Sequence, residues 1–443
     1  MSKPRVAFIL YRYPLGVSTM IINSIRQFAQ RGFAVDVFID RETFHKSPVS
    51  FREEDVSLIV RSRTESLLLK VIQVLIGKTL ARFGACERLS GRLAPSRTVP
   101  MFYPVTCDFA AWLGGEISKN NYRFIIPVDT KSLLCLHKYP HLDRVIYFDM
   151  ELLDWGRSNP LYKSKLILKN IEYVMIQAIG HVAVPSPKRA ELFCEINKFP
   201  LDRLFVLPVA AMGEPIMRKG NYFRERFRIA DHRTVIVYSG NFLPWSLSLE
   251  VVESVSSWPE DTALVMHTWN REMRYHEYFL KMQRTAVGRP VYFSFDYIPY
   301  DELAAALSSA DIGIMFYQPI NGNFTEILFS SNKLAEYLKA GLPVICSDFP
   351  SLKAYISERN IGATIPSPAQ LPYAIEEVLK RKEILRQNAI DCYLEDFQFE
   401  KYFDSFFEQL DGDRSKPNQN EFWAAGGDHH PPDQTPDAGD LIS

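Results

Sequence analysis

The sequence predicts an α/β protein of two doubly wound domains in tandem, and three observations carry that prediction. Short β-branched runs alternate with helix-length amphipathic segments, the pattern of a parallel sheet covered on both faces. The same rhythm restarts after a polar, Gly-containing stretch at 209–232. Finally, 443 residues exceed one ordinary domain, and 47% apolar against 23% charged residues is the composition of a compact chain.

The first domain, 1–210, opens with a strand "RVAFIL" at 5–10 and a helix from Ser18, then continues with "AVDVFID", "RFIIPVD", "RVIYFDM" and "HVAVPS". The second, 211–390, runs "TVIVYSG", "TALVMHT", "VYFSFDYI", "IGIMFYQ", "PVICSD" and "GATIPS", each followed by a segment that reads as a helix. Residues 391–410 contain "FEKYFDSFFEQL", an aromatic helix expected to pack back on a domain. Residues 411–443 hold six Asp, four Pro and four Gly, with His429 and His430 adjacent, and predict a disordered tail.

A formal net charge of −1 gives the chain no bias toward nucleic acid, so a charged partner must be read by a local patch. Segment 61–97 is such a patch, with eight Arg or Lys against two Glu. Leu67, Leu68, Val71, Leu75 and Ile76 form a broad apolar face there. Basic flanks on an apolar face fit an anionic membrane surface, and also fit a core helix with solvated flanks. The six cysteines are scattered, which fits a reducing compartment. With no long apolar run, the expectation is a cytoplasmic protein, at most peripheral at the inner face of the membrane.

In an open α/β sheet the ligand crevice lies at the carboxyl ends of the strands, where helix N-termini favour anions. After the first strand comes "YRYPLGVST", in which Gly16 permits a tight path and Ser18 or Thr19 can cap the next helix. The second domain begins "VIVYSGNFLPW", where Gly240 and Asn241 would let a phosphate approach the backbone. It has neither GxGxxG nor a P-loop lysine. "SSNKLAEYLKAGLPVICSD" is more specific. At 100° per residue Asn332, Lys333 and Glu336 share one arc, while Leu334 and Leu338 face the sheet. A helix N-terminus with Ser330, Ser331 and Lys333 suits a diphosphate, and Glu336 one turn on suits the two hydroxyls of a ribose. A solvated Lys/Glu pair has the same spacing. His267, in "LVMHTWN", reads as a satisfied strand-end histidine.

The segment "SSNKLAEYLKAGLPVICSD" resembles the donor-binding segment of GT-B glycosyltransferases, especially the retaining family-4 (group 1) type with its SPNKxxEYxxAGxPVI pattern. "HVAVPSPKRAELF", "VYSGNFLPWSLSLEVVESV" and "YIPYDELAAALSSADIGIMFY" resemble other parts of that family, over roughly residues 3–40 and 120–390. The resemblance implies two Rossmann-like domains facing a central cleft, 1–210 the acceptor domain with 61–97 as a basic amphipathic insert and 211–390 the nucleotide-sugar donor domain. It implies that Glu336 binds the donor ribose, that Lys333 and Ser330 to Asn332 face the diphosphate or sugar, and that Gly240 and Asn241 lie under the donor. A first-domain acid near the reacting sugar falls in "IYFDMELLDW", with Glu151 first, Asp149 second and Asp154 also available. The chain departs from the family in two places. "NFLPWSLSLE" lacks the Arg/Lys pair that neutralises the leaving diphosphate, and Leu328 stands where a second glutamate is usual, so Glu326 would substitute through a longer loop.

The function so implied is glycosyl transfer from a nucleotide-sugar donor to a glycan or lipid-linked acceptor, with retention, in surface polysaccharide or glycolipid biosynthesis. No cofactor is expected, and no metal is implied because no DxD-type pair is suitably placed. Two other classes remain open: a nucleotide-sugar 2-epimerase, and a non-catalytic binding module on the same architecture, which the missing Arg/Lys pair favours.

Overall fold

The computed structural model describes residues 3–46, 49–62, 66, 68–73, 75, 94–155 and 163–412. The expected disordered tail beyond Gly412 and most of the basic segment 61–97 lie outside the described residues.

Strand β1 (Arg5–Leu10) is central in the first sheet, with all but its first residue buried. It pairs in parallel with β2 (Ala34–Ile39) and β4 (Phe124–Pro127), and β3 (Val56–Val60) adds outside β2. Bridges Ile125–Val145 and Val128–Phe148 carry the sheet on to β5 (Ile146–Phe148), β6 (His181–Val184) and β7 (Leu204–Val206). The alternation in the sequence did not reveal β3 or β7. The first follows the charged run "REED", and the second is three residues long.

The second sheet contains β8 (Thr234–Ser239), β9 (Thr262–His267), β10 (Val291–Ser294), β11 (Ile312–Met315), β12 (Val344–Ser347) and β13 (Gly362–Ile365). Its order is β10-β9-β8-β11-β12-β13, all parallel. In both sheets the order reverses beside the first strand, between β1 and β4 and between β8 and β11. Crossovers leave these points toward opposite faces and open a crevice at the carboxyl ends.

Four helices matter for the cleft: α1 (Thr19–Gln30), α2 (Asn332–Lys339), α3 (Lys382–Asp396) and α4 (Phe399–Asp411). The helix expected over 391–410 is in fact split between α3 and α4. α3 packs on α2 in the second domain, whereas α4 crosses to the first. Phe403 and Phe406 of α4 meet Phe28 and Phe205 edge-on, with ring centroids 5.1 Å and 5.0 Å apart. At the split, Ala211 N–H donates to Phe397 O at 3.1 Å and Phe399 N–H donates to Ala211 O at 2.9 Å. The two chain crossings between the domains are thereby tied together.

Among the described residues no helix is long and apolar enough to cross a membrane. No His, Cys, Asp and Glu group at metal-binding spacing is present among them either.

Candidate active cleft

α2 forms one wall of the cleft because its two faces differ. Leu334, Ala335, Tyr337 and Leu338 are fully buried against the second sheet. Asn332, Lys333 and Glu336 line a cavity of about 260 Å³ between the domains. Ser239 at the end of β8, with Gly240 and Asn241 after it, forms its floor, and Pro14, Gly16 and Thr19 after β1 face them from the first domain. Tyr337 fixes the strand ends beneath by accepting the Ser239 N–H at 2.8 Å.

Glu336 is the most telling residue. Its side chain is almost wholly enclosed, the residue being 3% exposed, and its Oε1 has no hydrogen-bond partner. Burial raises its carboxyl pKa to about 7; the Lys339 charge opposes this and the Asp301 charge adds to it. A buried carboxylate without donors is costly, so the arrangement awaits hydroxyl or N–H groups.

Lys333 lies in an aromatic cage. Its Nζ is 5.0 Å from the Tyr317 ring centroid, 5.5 Å from Tyr238 and 5.9 Å from Trp245, and donates to Tyr317 Oη at 3.3 Å. Burial opposes its charge, but Tyr317 and Tyr238 outweigh it and leave the pKa above its ordinary value. Gly240 makes room for the stem: its φ is +152°, and a Cβ there would fall 2.5 Å from Lys333 Cε. Gly240→Ala is expected to push the ammonium out of the cage and to destabilise the fold by about 1–2 kcal/mol through backbone strain. Thermal unfolding together with nucleotide titration checks both effects.

The remaining expected residues divide. Gly16, Gly240, Asn241, Asn332, Lys333 and Glu336 meet around the cavity, while Ser18, Glu326, Ser330 and Ser331 do not line it. Ser18 occupies the N-cap of α1 but makes no side-chain cap bond; its hydroxyl pairs with Tyr13 Oη at 3.0 Å. Ser331 likewise pairs with Tyr317 Oη at 3.0 Å, and the Ser330 hydroxyl is buried without a partner. Glu326 closes the short helix Gly322–Thr325, within electrostatic reach of Lys188 and Arg189 of the first domain.

The two first-domain acids also separate. Asp149 is turned inward and is 2% exposed, which corrects the expectation that it stands at the cleft edge. Its Oδ1 accepts from Tyr147 Oη at 3.2 Å, and burial, reinforced by the Glu172 charge, raises its pKa to about 7. Glu151 is exposed, as is Asp154 further along the loop. Glu151 acts electrostatically on Tyr13, whose neighbour Pro14 lines the cavity.

Sequence reasoning missed Asp129, at the end of β4. It holds a left-handed conformation with φ +58°, and its Oδ1 accepts the Met150 and Glu151 N–H groups at 2.9 and 3.2 Å. The strained residue therefore sets the path of the Glu151 loop. The signal available was an Asp directly after the strand in "RFIIPVD".

That loop is clasped to the second domain. Arg189 donates to Met150 O at 2.6 Å and to Asn323 O at 2.9 Å. Asn323 accepts the Leu152 N–H at 3.1 Å and donates to Leu152 O at 3.0 Å. Asn323→Ala is expected to cost about 1–2 kcal/mol by leaving both Leu152 groups unpaired. Denaturant unfolding against a distant surface variant measures it.

His267 reads as expected. It is buried, its Nδ1 is 2.9 Å from Ser294 Oγ, and burial lowers its pKa to about 4. It therefore stays neutral at the edge of the cavity it lines.

Two facing doubly wound domains with a cavity between them define the GT-B architecture. Solved structures bear this out over nearly the whole chain. Sucrose-phosphate synthase from Thermosynechococcus elongatus is 15% identical, with 92% of this chain and 99% of that one covered at a TM-score of 0.64. WaaG, a glycosyltransferase involved in lipopolysaccharide biosynthesis, is also 15% identical, with coverage of 90% and 98% and a TM-score of 0.60. HepE from Anabaena, in complex with UDP and glucose, is 11% identical, with coverage of 93% and 100% and a TM-score of 0.61. Residues 255–389 match the family model described as the glucosyltransferase 3-like C-terminal domain. No match is found among curated proteins.

Proposed function

We propose that the protein transfers a sugar from a nucleoside diphosphate donor to a glycan or lipid-linked acceptor, with retention of configuration, in surface polysaccharide or glycolipid assembly. The observation that carries this reading is the buried, partnerless Glu336 Oε1 in the interdomain cavity. A ribose supplies the donors that this carboxylate lacks. The diphosphate then lies against the α2 N-terminus and Lys333, over Gly240 and Asn241. The complex of HepE with UDP-glucose makes UDP-sugars the first donors to test.

Chemistry follows from the order of groups across the cleft. As the bond to the leaving diphosphate lengthens, Lys333 and the helix end stabilise the growing negative charge. Glu151, exposed on the opposite domain outside the residues lining the cavity, is assigned by the family resemblance to the sugar on which positive charge develops. Enclosure between the domains keeps water from the donor. The exposed Leu68, Val71 and Leu75, in a segment rich in Arg and Lys, support an acceptor held at an anionic membrane surface.

Calorimetry with UDP-, GDP- and ADP-sugars, followed by an assay of diphosphate release, tests the reading. Glu151→Gln is expected to lower turnover about 100-fold with donor affinity unchanged. Equal turnover in that variant removes Glu151 from the chemistry. Binding of a nucleotide with neither transfer nor hydrolysis supports the non-catalytic module instead.

A further inference from the structure

The one-turn helix Gly322–Thr325 touches both domains. Toward the second, Phe324 packs on Trp245 and Tyr317 at ring-centroid distances of 5.4 Å and 6.3 Å. Those two rings stack on each other, 6.1 Å apart and 6° from parallel, and both are walls of the Lys333 cage. Toward the first, Asn323 pairs with Leu152 through both ends of its side-chain amide, and its own C=O accepts from Arg189. A Cβ on Gly322 would lie 3.5 Å from Leu192 Cδ1, so the turn runs close against the first-domain helix Pro187–Asn197.

The backbone of the loop 150–152 divides in the same way. Asp129 accepts the Met150 and Glu151 N–H groups and Arg189 donates to the Met150 C=O, all within the first domain. Both backbone groups of Leu152 are held instead by Asn323, so these two bonds exist only while the domains are engaged.

A single turn cannot fix its own shape. Asn321 closes it from the N-cap by accepting the Asn323 N–H at 3.0 Å, and four residues make too few internal bonds to offset the cost of ordering them. Where the turn sits is therefore decided by its outside contacts, Asn323 on one side and Phe324 on the other. Neighbours on one turn move together, so a shift at Leu152 is passed to the rings that enclose Lys333.

We infer that Asn323 and Phe324 are positioning residues, which seat the Lys333 ammonium in its cage only while the first domain is engaged. This rests on the proposed transferase reading, in which Lys333 meets the leaving diphosphate, and adds what holds that cation ready. The ammonium is then poised in the engaged cleft and loosened in the open one, which restrains loss of the sugar to water before the cleft has closed.

Two measurements on the full chain test this. The first is NMR of protein carrying isotope-labelled lysine. The rings of the cage shift the Cε–H signal of Lys333 away from those of solvated lysines, and Lys333→Met assigns it. Asn323→Ala and Phe324→Leu are each expected to move this signal toward the solvated position. The second is turnover at saturating UDP-sugar, which both changes are expected to lower about tenfold or more in the parent and by less than about twofold in the Lys333→Met background. A Lys333 signal that stays in place in either variant overturns the inference, as does a full further loss of turnover when they are added to Lys333→Met. If Asn323→Ala does not unfold cooperatively, Asn323→Asp takes its place, since it keeps the bond from the Leu152 N–H and loses the one to the Leu152 C=O. A signal that moves as expected in a parent without turnover supports the coupling and counts against the transferase reading alone.

Discussion

Glu336→Gln is expected to weaken nucleotide binding by about 30-fold or more, since it exchanges charge-assisted hydrogen bonds to a ribose for neutral ones. The same change should stabilise the unliganded fold at alkaline pH. The folded carboxyl titrates at about 7 against an ordinary value of 4.5, so between those values the folded state holds a proton that the unfolded state has released. Stability therefore falls as pH rises from 4.5 to about 7 and is level above it, by up to about 3 kcal/mol. Glutamine has no such dependence. Thermal melts at pH 5 and pH 8, with and without UDP, should show the variant gaining on the parent at pH 8 only when nucleotide is absent. A variant that binds UDP like the parent, or that loses its cooperative transition, would falsify the ribose assignment.

Lys333→Met is expected to lower turnover by about 100- to 1,000-fold, the scale for removing a group that stabilises leaving-group charge. Among the described residues lining the cavity, Lys333 is the one permanently charged cation. The segment after β8 supplies aromatic Trp245 to its cage and no basic residue. Methionine keeps the stem volume between Tyr238, Trp245 and Tyr317, so folding should be spared. Lys333→Arg should not rescue, because a planar guanidinium does not fit a cage built for a compact ammonium above Gly240. Turnover measured at saturating donor separates this loss from weaker binding. Retained turnover would move the leaving-group charge to a residue outside the cavity.

The pattern of strands and helices was legible because a parallel sheet covered on both faces needs continuous β-branched runs, and these stand out from amphipathic helices. β3 escaped because it directly follows the charged run "REED" and, as an edge strand, is only partly buried. α2 was legible in detail: one helical period separates Leu334 and Leu338 from Lys333 and Glu336, and the structure seats the two faces accordingly. Ser331 and Ser18 were less legible, because a hydroxyl at an N-cap position can bond sideways to a tyrosine as readily as to the helix.

The sequence by itself determined two doubly wound domains, the two-faced helix α2 and the absence of a basic pair after β8, since each is written in local period and composition. Only the tertiary structure decided which carboxylates are enclosed and which stand exposed. Asp149 and Glu151 lie two residues apart in one loop, yet one is sealed against Tyr147 while the other stands exposed. Asp129 directs that loop from another strand, and Asn323 holds it from the facing domain. Such placements depend on contacts between residues far apart in the chain, and no local period records them.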